Sequence, residues 1–289
     1  MKNGTYTGSN NKNICYKGCN NISDLTLIGV SSNCDDVEIL QTSNSTTDRA
    51  IYARNSTFRE ISCMKVSNFM YSTGDTQIEL ELTGENTGKY DFHFSGGSAL
   101  LVINTSNLII SNVSFSQNQA IAGGAVSIFQ SVVSFRNCSF WGNNAGAVGG
   151  AILALVSHVS MVSCKFTKNS AISSSPQSGI GGAIYFDSGA EQIFKLFQNL
   201  EIYSSVFVHN SAERGGGALY VASTSSRNNT FIVKTSEFRN NSVIGQDSCL
   251  SLISCSPRGG AIYANVLSVK IRQCQFLLNR ANSLSQEYV

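Results

Sequence analysis

The sequence predicts an all-β protein wound as a parallel β-helix solenoid, and three observations carry that expectation. The first is a recurring order: a Phe, an Asn three residues on, an Ala two further, then Gly-Gly-Ala and an apolar residue, as in FSQNQAIAGGAV from Phe115 to Val126. The second is the spacing of the Gly-Gly pairs. It is 26 residues from Gly124 to Gly150, then 32 to Gly182, 35 to Gly217 and 43 to Gly260, and such periods mark solenoids and propellers. The third is alternation before each Phe. Leu108, Ile110, Val113 and Phe115 are followed by Val133, Phe135, Cys138 and Phe140, then by Val159, Met161, Cys164 and Phe166, and again by Val269, Ile271, Cys274 and Phe276. Alternation of this kind belongs to strands with one buried face. No helical pattern is long enough to interleave with them. A propeller blade needs four strands per repeat, and a unit of about 25 residues is too short for four.

Each repeat position has a role in such a coil, where rungs stack about 4.8 Å apart. Phe115, Phe140, Phe166, Phe207, Phe238 and Phe276 are expected to stack in the core. Asn118, Asn143, Asn169, Asn210, Asn241 and Asn279 are expected to form a ladder at a turn. There Asn tolerates the left-handed conformation and its amide can bond the neighbouring coil. The Ala two residues later fits a crowded corner, with Val243 replacing it once. Gly-Gly supplies positive φ and close backbone approach at a second corner. Cys138, Cys164 and Cys274 fall two residues before the repeat Phe and read as buried core positions, since free Cys is among the most buried residue types.

Residues 1–95 read as irregular N-terminal coils, with strands in DLTLIG from Asp24, DVEIL from Asp36 and the stretch from Ala50. Residues 96–289 read as the regular coils of the same continuous solenoid, entered through a degenerate corner at Phe94-Ser-Gly-Gly. Insertions at Ile172 to Ile180, Asp187 to Leu200, Ala222 to Thr230 and Ile244 to Arg258 leave the coils. Within the second, QIFKLFQNL from Gln192 to Leu200 suggests a short helix. Its Ile193, Phe194, Leu196 and Phe197 would form an apolar contact patch or cover a neighbouring coil.

Composition narrows the class of protein. Only 13% of residues are charged, against about 25% in ordinary globular proteins. Ser, Thr and Asn must therefore cover much of the surface, which suits an extracellular setting. A net charge of +2 without a basic block gives no nucleic-acid footprint. Two prolines among 25 glycines exclude collagen and Pro-rich linkers. No stretch reaches the roughly 18 apolar residues of a membrane span, and the N-terminus lacks the apolar region of a signal peptide. Of nine cysteines, six lie off the repeat. Cys249 and Cys255 share one insertion and would close a small loop in an oxidising compartment, or remain thiols. Of the Asn-x-Ser/Thr sequons, Asn44, Asn55, Asn104 and Asn228 are the candidate glycosylation sites, although a chain rich in these residue types produces sequons by composition alone.

At these residues the chain resembles the polymorphic outer membrane proteins of chlamydiae, whose repeats are defined by Gly-Gly-Ala-Ile and Phe-x-x-Asn. Phe-x-x-Asn begins at Phe115, Phe140, Phe166, Phe207, Phe238 and Phe276. Gly-Gly-Ala-Ile is intact at Gly149, Gly181 and Gly259, and ends in Val or Leu at Gly123 and Gly216. The opening NGTYTGSNNKNI is similar to the Gly-x-Tyr-x-Gly entry of right-handed, pectin-lyase-like β-helix proteins. The resemblance implies a right-handed coil and a secreted, adhesive passenger carried by a C-terminal membrane barrel. The chain reaches Val289 where another Gly-Gly corner is due, so it reads as an internal piece, or a gene model missing both ends, with further coils expected at each.

The β-helix also carries polysaccharide lyases and hydrolases, which need clustered acids. From Phe94 onward Asp187, Glu191, Glu201, Glu213, Glu237, Asp247 and Glu287 are the acids, and none is adjacent to another. Asp35-Asp36 and Asp91 with His93 are the local clusters before them, and a solvated turn is the simpler reading of each. His93, His158 and His209 lack partners at metal-ligand spacing, and Gly215-Gly216-Gly217 precedes a strand and not a phosphate-binding helix. The expectation is a non-enzymatic cell-surface or secreted repeat protein with an adhesive or structural role, with a polysaccharide-active enzyme as the alternative. Its partners would be a surface glycan or protein and not nucleic acid, with membrane contact only through an anchor or barrel. No cofactor is expected.

Overall fold

The computed structural model describes residues 4–6, 26–28, 37–40, 50–54, 60–71, 76–81, 89–94, 96–173, 178–189, 198–223, 229–245, 258–266 and 268–282. Among them the chain is a parallel β-helix with no helical segment. Each coil contributes strands to three sheets. Sheet 1 is bent and holds two strand rows, one through Val132–Arg136, His158–Val162, Leu200–Tyr203 and Thr230–Lys234, the other through Ser139–Trp141, Lys165–Thr167, Val206–Val208 and Glu237–Arg239. Sheet 2 runs through Gln119–Ala122, Asn144–Val148, Ser170–Ala171, Ser211–Ala212 and Ser242–Ile244. Sheet 3 runs through Leu100–Ile103, Val126–Phe129, Ile152–Leu155, Ile184–Asp187, Leu219–Ala222 and Ile262–Asn265.

The repeat aromatic positions pair in register, Phe115 with Phe140 and Phe140 with Phe166. From Phe115 to Phe276 the rings stack at centroid distances of 5.0, 4.5, 4.7, 4.8 and 5.0 Å. Offset-stacked pairs at this separation contribute about 0.5–1.5 kcal/mol beyond their buried area. Five of the six rings are fully buried, and Phe276 on the last described coil is 46% exposed.

The Asn ladder cross-links every coil to the next. Asn169 Oδ1 accepts the Asn143 backbone N–H and the Asn143 amide N–H, both at 3.0 Å. Asn169 Nδ2 donates back to the Phe140 carbonyl at 3.0 Å and forward to Asn210 Oδ1 at 2.9 Å. The same geometry repeats at Asn118, Asn210, Asn241 and Asn279. One expectation needs correcting. The ladder Asn residues are not the left-handed ones; the residue before each takes positive φ, at Gln117, Gly142, Lys168, His209, Asn240 and Leu278. The preceding residue turns the chain, which leaves the Asn side chain free to point inward.

The bend within sheet 1 obeys the same logic. Asn112, Asn137, Ser163, Ser204, Thr235 and Gln273 have positive φ, and the next residue points into the corner. At Cys138, Cys164, Ser205, Ser236 and Cys274 the thiol or hydroxyl donates to the carbonyl two residues back. The repeat cysteines thus act as serine-like corner plugs. At Gly-Gly-Ala the glycine two residues before the Ala carries the positive φ, at Gly123, Gly149, Gly181, Gly216 and Gly259, and Gly97 takes the same place before Ser98 and Ala99. The glycine next to the Ala is forced by contact: a Cβ on Gly150 would lie 2.0 Å from the Gly182 carbonyl oxygen.

In the N-terminal region the strands Gly4–Tyr6, Thr26–Ile28 and Val37–Leu40 join sheet 1 beside Glu60–Ser67. Thr76–Glu81 and Lys89–Phe94 form an antiparallel hairpin that the sequence reading missed. Residues 192–197 of the suggested short helix, including Ile193, Phe194, Leu196 and Phe197, lie outside the described residues, and Leu200 opens a strand.

Asn210→Ala removes the acceptor of the Asn169 backbone N–H and of one Asn169 amide N–H, and the amide donor to the Phe166 carbonyl, in the core, and each unsatisfied group costs about 1–3 kcal/mol. Denaturant unfolding should show a loss of about 3 kcal/mol or more. Asn279→Ala, on the half-buried last coil, should lose much less.

Candidate functional site

The coil corners divide into two kinds. Both corners bordering the second strand row of sheet 1 are two residues long in each coil from Ser139–Trp141 to Gln275–Leu277, for instance Ser163-Cys164 and Lys168-Asn169. The two corners bordering sheet 3 vary. In the upper coils Gln130-Ser131 and Val156-Ser157 link sheet 3 to sheet 1, while Gly123-Gly124-Ala125 and Gly149-Gly150-Ala151 link sheet 2 to sheet 3. Below them residues 172–183 and 245–261 intervene before sheet 3, and residues 188–199 and 223–229 intervene after it. All four insertions therefore flank one sheet, on both of its long sides. Insertions that gather on one face of a repeat array mark its usual contact surface.

The outer surface of sheet 3 changes along the same axis. In the upper coils Leu101, Ile103, Phe129 and Leu153 form a buried outer apolar cluster. Below them, on coils bordered by insertions, Tyr185, Tyr220 and Tyr263 occupy one register column. Their rings stack at 5.4 and 4.7 Å and are partly exposed. The neighbouring outward column reads Asp187, Ala222 and Asn265. Tyr185 donates its hydroxyl to Asp187 Oδ2 at 3.4 Å, and Asp187 Oδ1 accepts the Gly189 N–H at 2.8 Å. Arg258 is exposed; its guanidinium lies 6.0 Å from the Tyr263 ring centre, and Nη1 donates to the Tyr263 hydroxyl at 3.4 Å. Arg214 precedes Gly215, which bridges to Arg258 on the next coil.

Burial, reinforced by Asp187, raises the Tyr185 phenol above its ordinary value of 10.0. Tyr220 is also raised, by burial and by Tyr263 and Asp187, while Arg258 and Arg214 oppose the shift. Both stay neutral hydroxyls at physiological pH. Elsewhere Cys138 is raised by its contact with the Cys164 thiol and by burial, as befits a core plug.

The remaining expected site residues fall as follows. Asn104 is exposed with positive φ, whereas Asn44, Asn55, Asn228, Cys249 and Cys255 lie outside the described residues. Cys63 is disulfide-bonded. Among the described residues no three His, Cys, Asp or Glu side chains gather as a metal site, and no helix is long and apolar enough to cross a membrane. Asp187, the acid on the tyrosine face, has Leu155 and Ala222 as its coil neighbours. The tyrosine column is the feature the sequence reading passed over. Its signal was a Tyr recurring two residues after the Ala of Gly-Gly-Ala at Tyr185, Tyr220 and Tyr263.

The family model described as Chlamydia polymorphic membrane protein (Chlamydia_PMP) repeat matches residues 163–187. That segment holds one Phe-x-x-Asn at Phe166 and one Gly-Gly-Ala-Ile at Gly181, and the chain is similar to the repeat over those residues. No curated protein and no solved structure matches the chain.

A spectrophotometric titration checks the tyrosine environment. Raised folded values mean that the tyrosine column's contribution is present below the unfolded value near pH 10 and is lost as pH rises through the folded values. Tyr185 and Tyr220 should ionise after the ordinary tyrosines, with stability falling above pH 10.0. A Tyr185→Phe variant should lose a late-titrating group.

Proposed function

We propose that the chain is a surface-displayed, non-enzymatic β-helix repeat protein whose outer sheet 3 face binds a partner in an adhesive role. The observation that carries this reading is the coincidence of two features on the same coils. The insertions border sheet 3 on both sides, and the tyrosine column lies between them. A rigid solenoid fixes such a face, and loops beside it are free to vary. The similarity to a chlamydial membrane-protein repeat and the bonded Cys63 both favour display in an oxidising, extracellular setting. The last described coil, where Val269, Ile271 and Phe276 are each more than 40% exposed, is where a further coil would stack.

The test is retention of the purified chain on cells, with release of sugar product measured in parallel. Tyr220→Ala combined with Tyr263→Ala should cut retention at least tenfold. Arg136→Ala with Lys165→Ala, on exposed positions of sheet 1, should leave it unchanged, and no product should form. Retention that ignores the sheet 3 substitutions, or steady turnover of a polysaccharide, would contradict the reading.

A further inference from the structure

We propose that the tyrosine face takes a polyanionic polysaccharide, a hydroxyl-rich polymer carrying carboxylate or sulfate groups. This rests on the reading of sheet 3 as the contact face and names its ligand. Three observations converge on it.

The first is periodicity. Tyr185, Tyr220 and Tyr263 set a row of phenol hydroxyls along the solenoid axis, one per coil, fixed by stacked rings. Each hydroxyl both donates and accepts, as sugar hydroxyls do. A regular row of such groups suits a ligand that itself repeats.

The second is charge. Arg214 and Arg258 come from adjacent coils, with the Arg258 N–H donating to the Arg214 carbonyl at 2.9 Å, and both act on the Tyr220 phenol. Against them stands the Asp187 carboxylate, already accepting from Tyr185 and from the Gly189 N–H. The exposed Arg258 fork is anchored at the Tyr263 ring. A planar guanidinium held in place favours paired hydrogen bonds to an oxyanion.

The third is the small and polar column beside the row, below the buried apolar cluster that Tyr185 packs against. Asp187, Ala222 and Asn265 line the adjacent outward column. Protein hot spots are built on large side chains set in desolvated pockets, and small or polar neighbours do not make one.

The experiment measures binding of the purified chain to immobilised heparin, polygalacturonate and dextran, so that sulfated, carboxylated and neutral polymers are compared. The expected result is retention on at least one polyanion and none on dextran, weakening as salt rises. Arg258→Gln and Tyr220→Phe, an exposed charge and a change that keeps the stacked ring, should each weaken it tenfold or more. Equal binding to dextran, or polyanion binding indifferent to both variants, would overturn the proposal. Absence of polyanion binding together with sheet 3-dependent retention on cells would sink this inference and leave the contact-face reading standing. Indifference of both assays to sheet 3 substitutions would remove the two together.

Discussion

The structure depends on the coil-to-coil bonding of the asparagine column. A solenoid coil has no core of its own, so its stability comes from the neighbours it stacks on. At each coil the Asn side chain satisfies a backbone N–H and an amide N–H of the coil before, and returns a donor to that coil's Phe carbonyl. Buried polar groups are costly unless fully paired, and paired they specify one register. The Phe stack beside the column contributes packing but no directional hydrogen bond. The Asn column sets the alignment, because one missed register leaves several buried groups unsatisfied.

That constraint explains where the chain is free to vary. From Ser139–Trp141 to Gln275–Leu277 the corners beside the Asn column and the sheet 1 bend stay two residues long, because one residue must turn left-handed and the next must reach inward. At the far corners the Gly-Gly turn recurs, but among the described residues no buried side-chain ladder like the Asn column accompanies it. There residues 172–183, 188–199, 223–229 and 245–261 separate consecutive strands. The face between those departures is accordingly the one whose surroundings can be elaborated without loss of register. It is also where the outward side chains change from a buried apolar cluster to a partly exposed tyrosine row.

The coil plan was legible wherever side chains identify it. Phe, Asn and Gly-Gly recur because each meets a constraint that few other residues can. The left-handed positions were not legible, since Gln117, Lys168, His209 and Leu278 share a conformation and no chemistry. The same applies to the coil through Glu60–Ser67 and Met70–Tyr71. Val66 pairs with Phe115, and the Phe69 N–H donates to Asn118 Oδ1 at 3.1 Å. This coil keeps the backbone geometry of the repeat while Val66 and Phe69 stand in the Phe and Asn positions, so the motif vanishes from the sequence although the coil persists. The tyrosine column was hidden for another reason. The alternation was read for its inward residues, and the outward ones carry the candidate site.

The most direct test of this account is an insertion scan. A short Gly-Ser segment would be placed in turn at each of the four corners of one central coil, and cooperative unfolding measured for each variant. The account predicts native-like folding after insertion beside sheet 3, between Asp187 and Leu200 or between Ile172 and Gly181. It predicts loss of cooperative folding after insertion at Ser163-Cys164 or Lys168-Asn169. Equal tolerance at all four corners would contradict the claim that the asparagine column and its two-residue turns hold the solenoid in register.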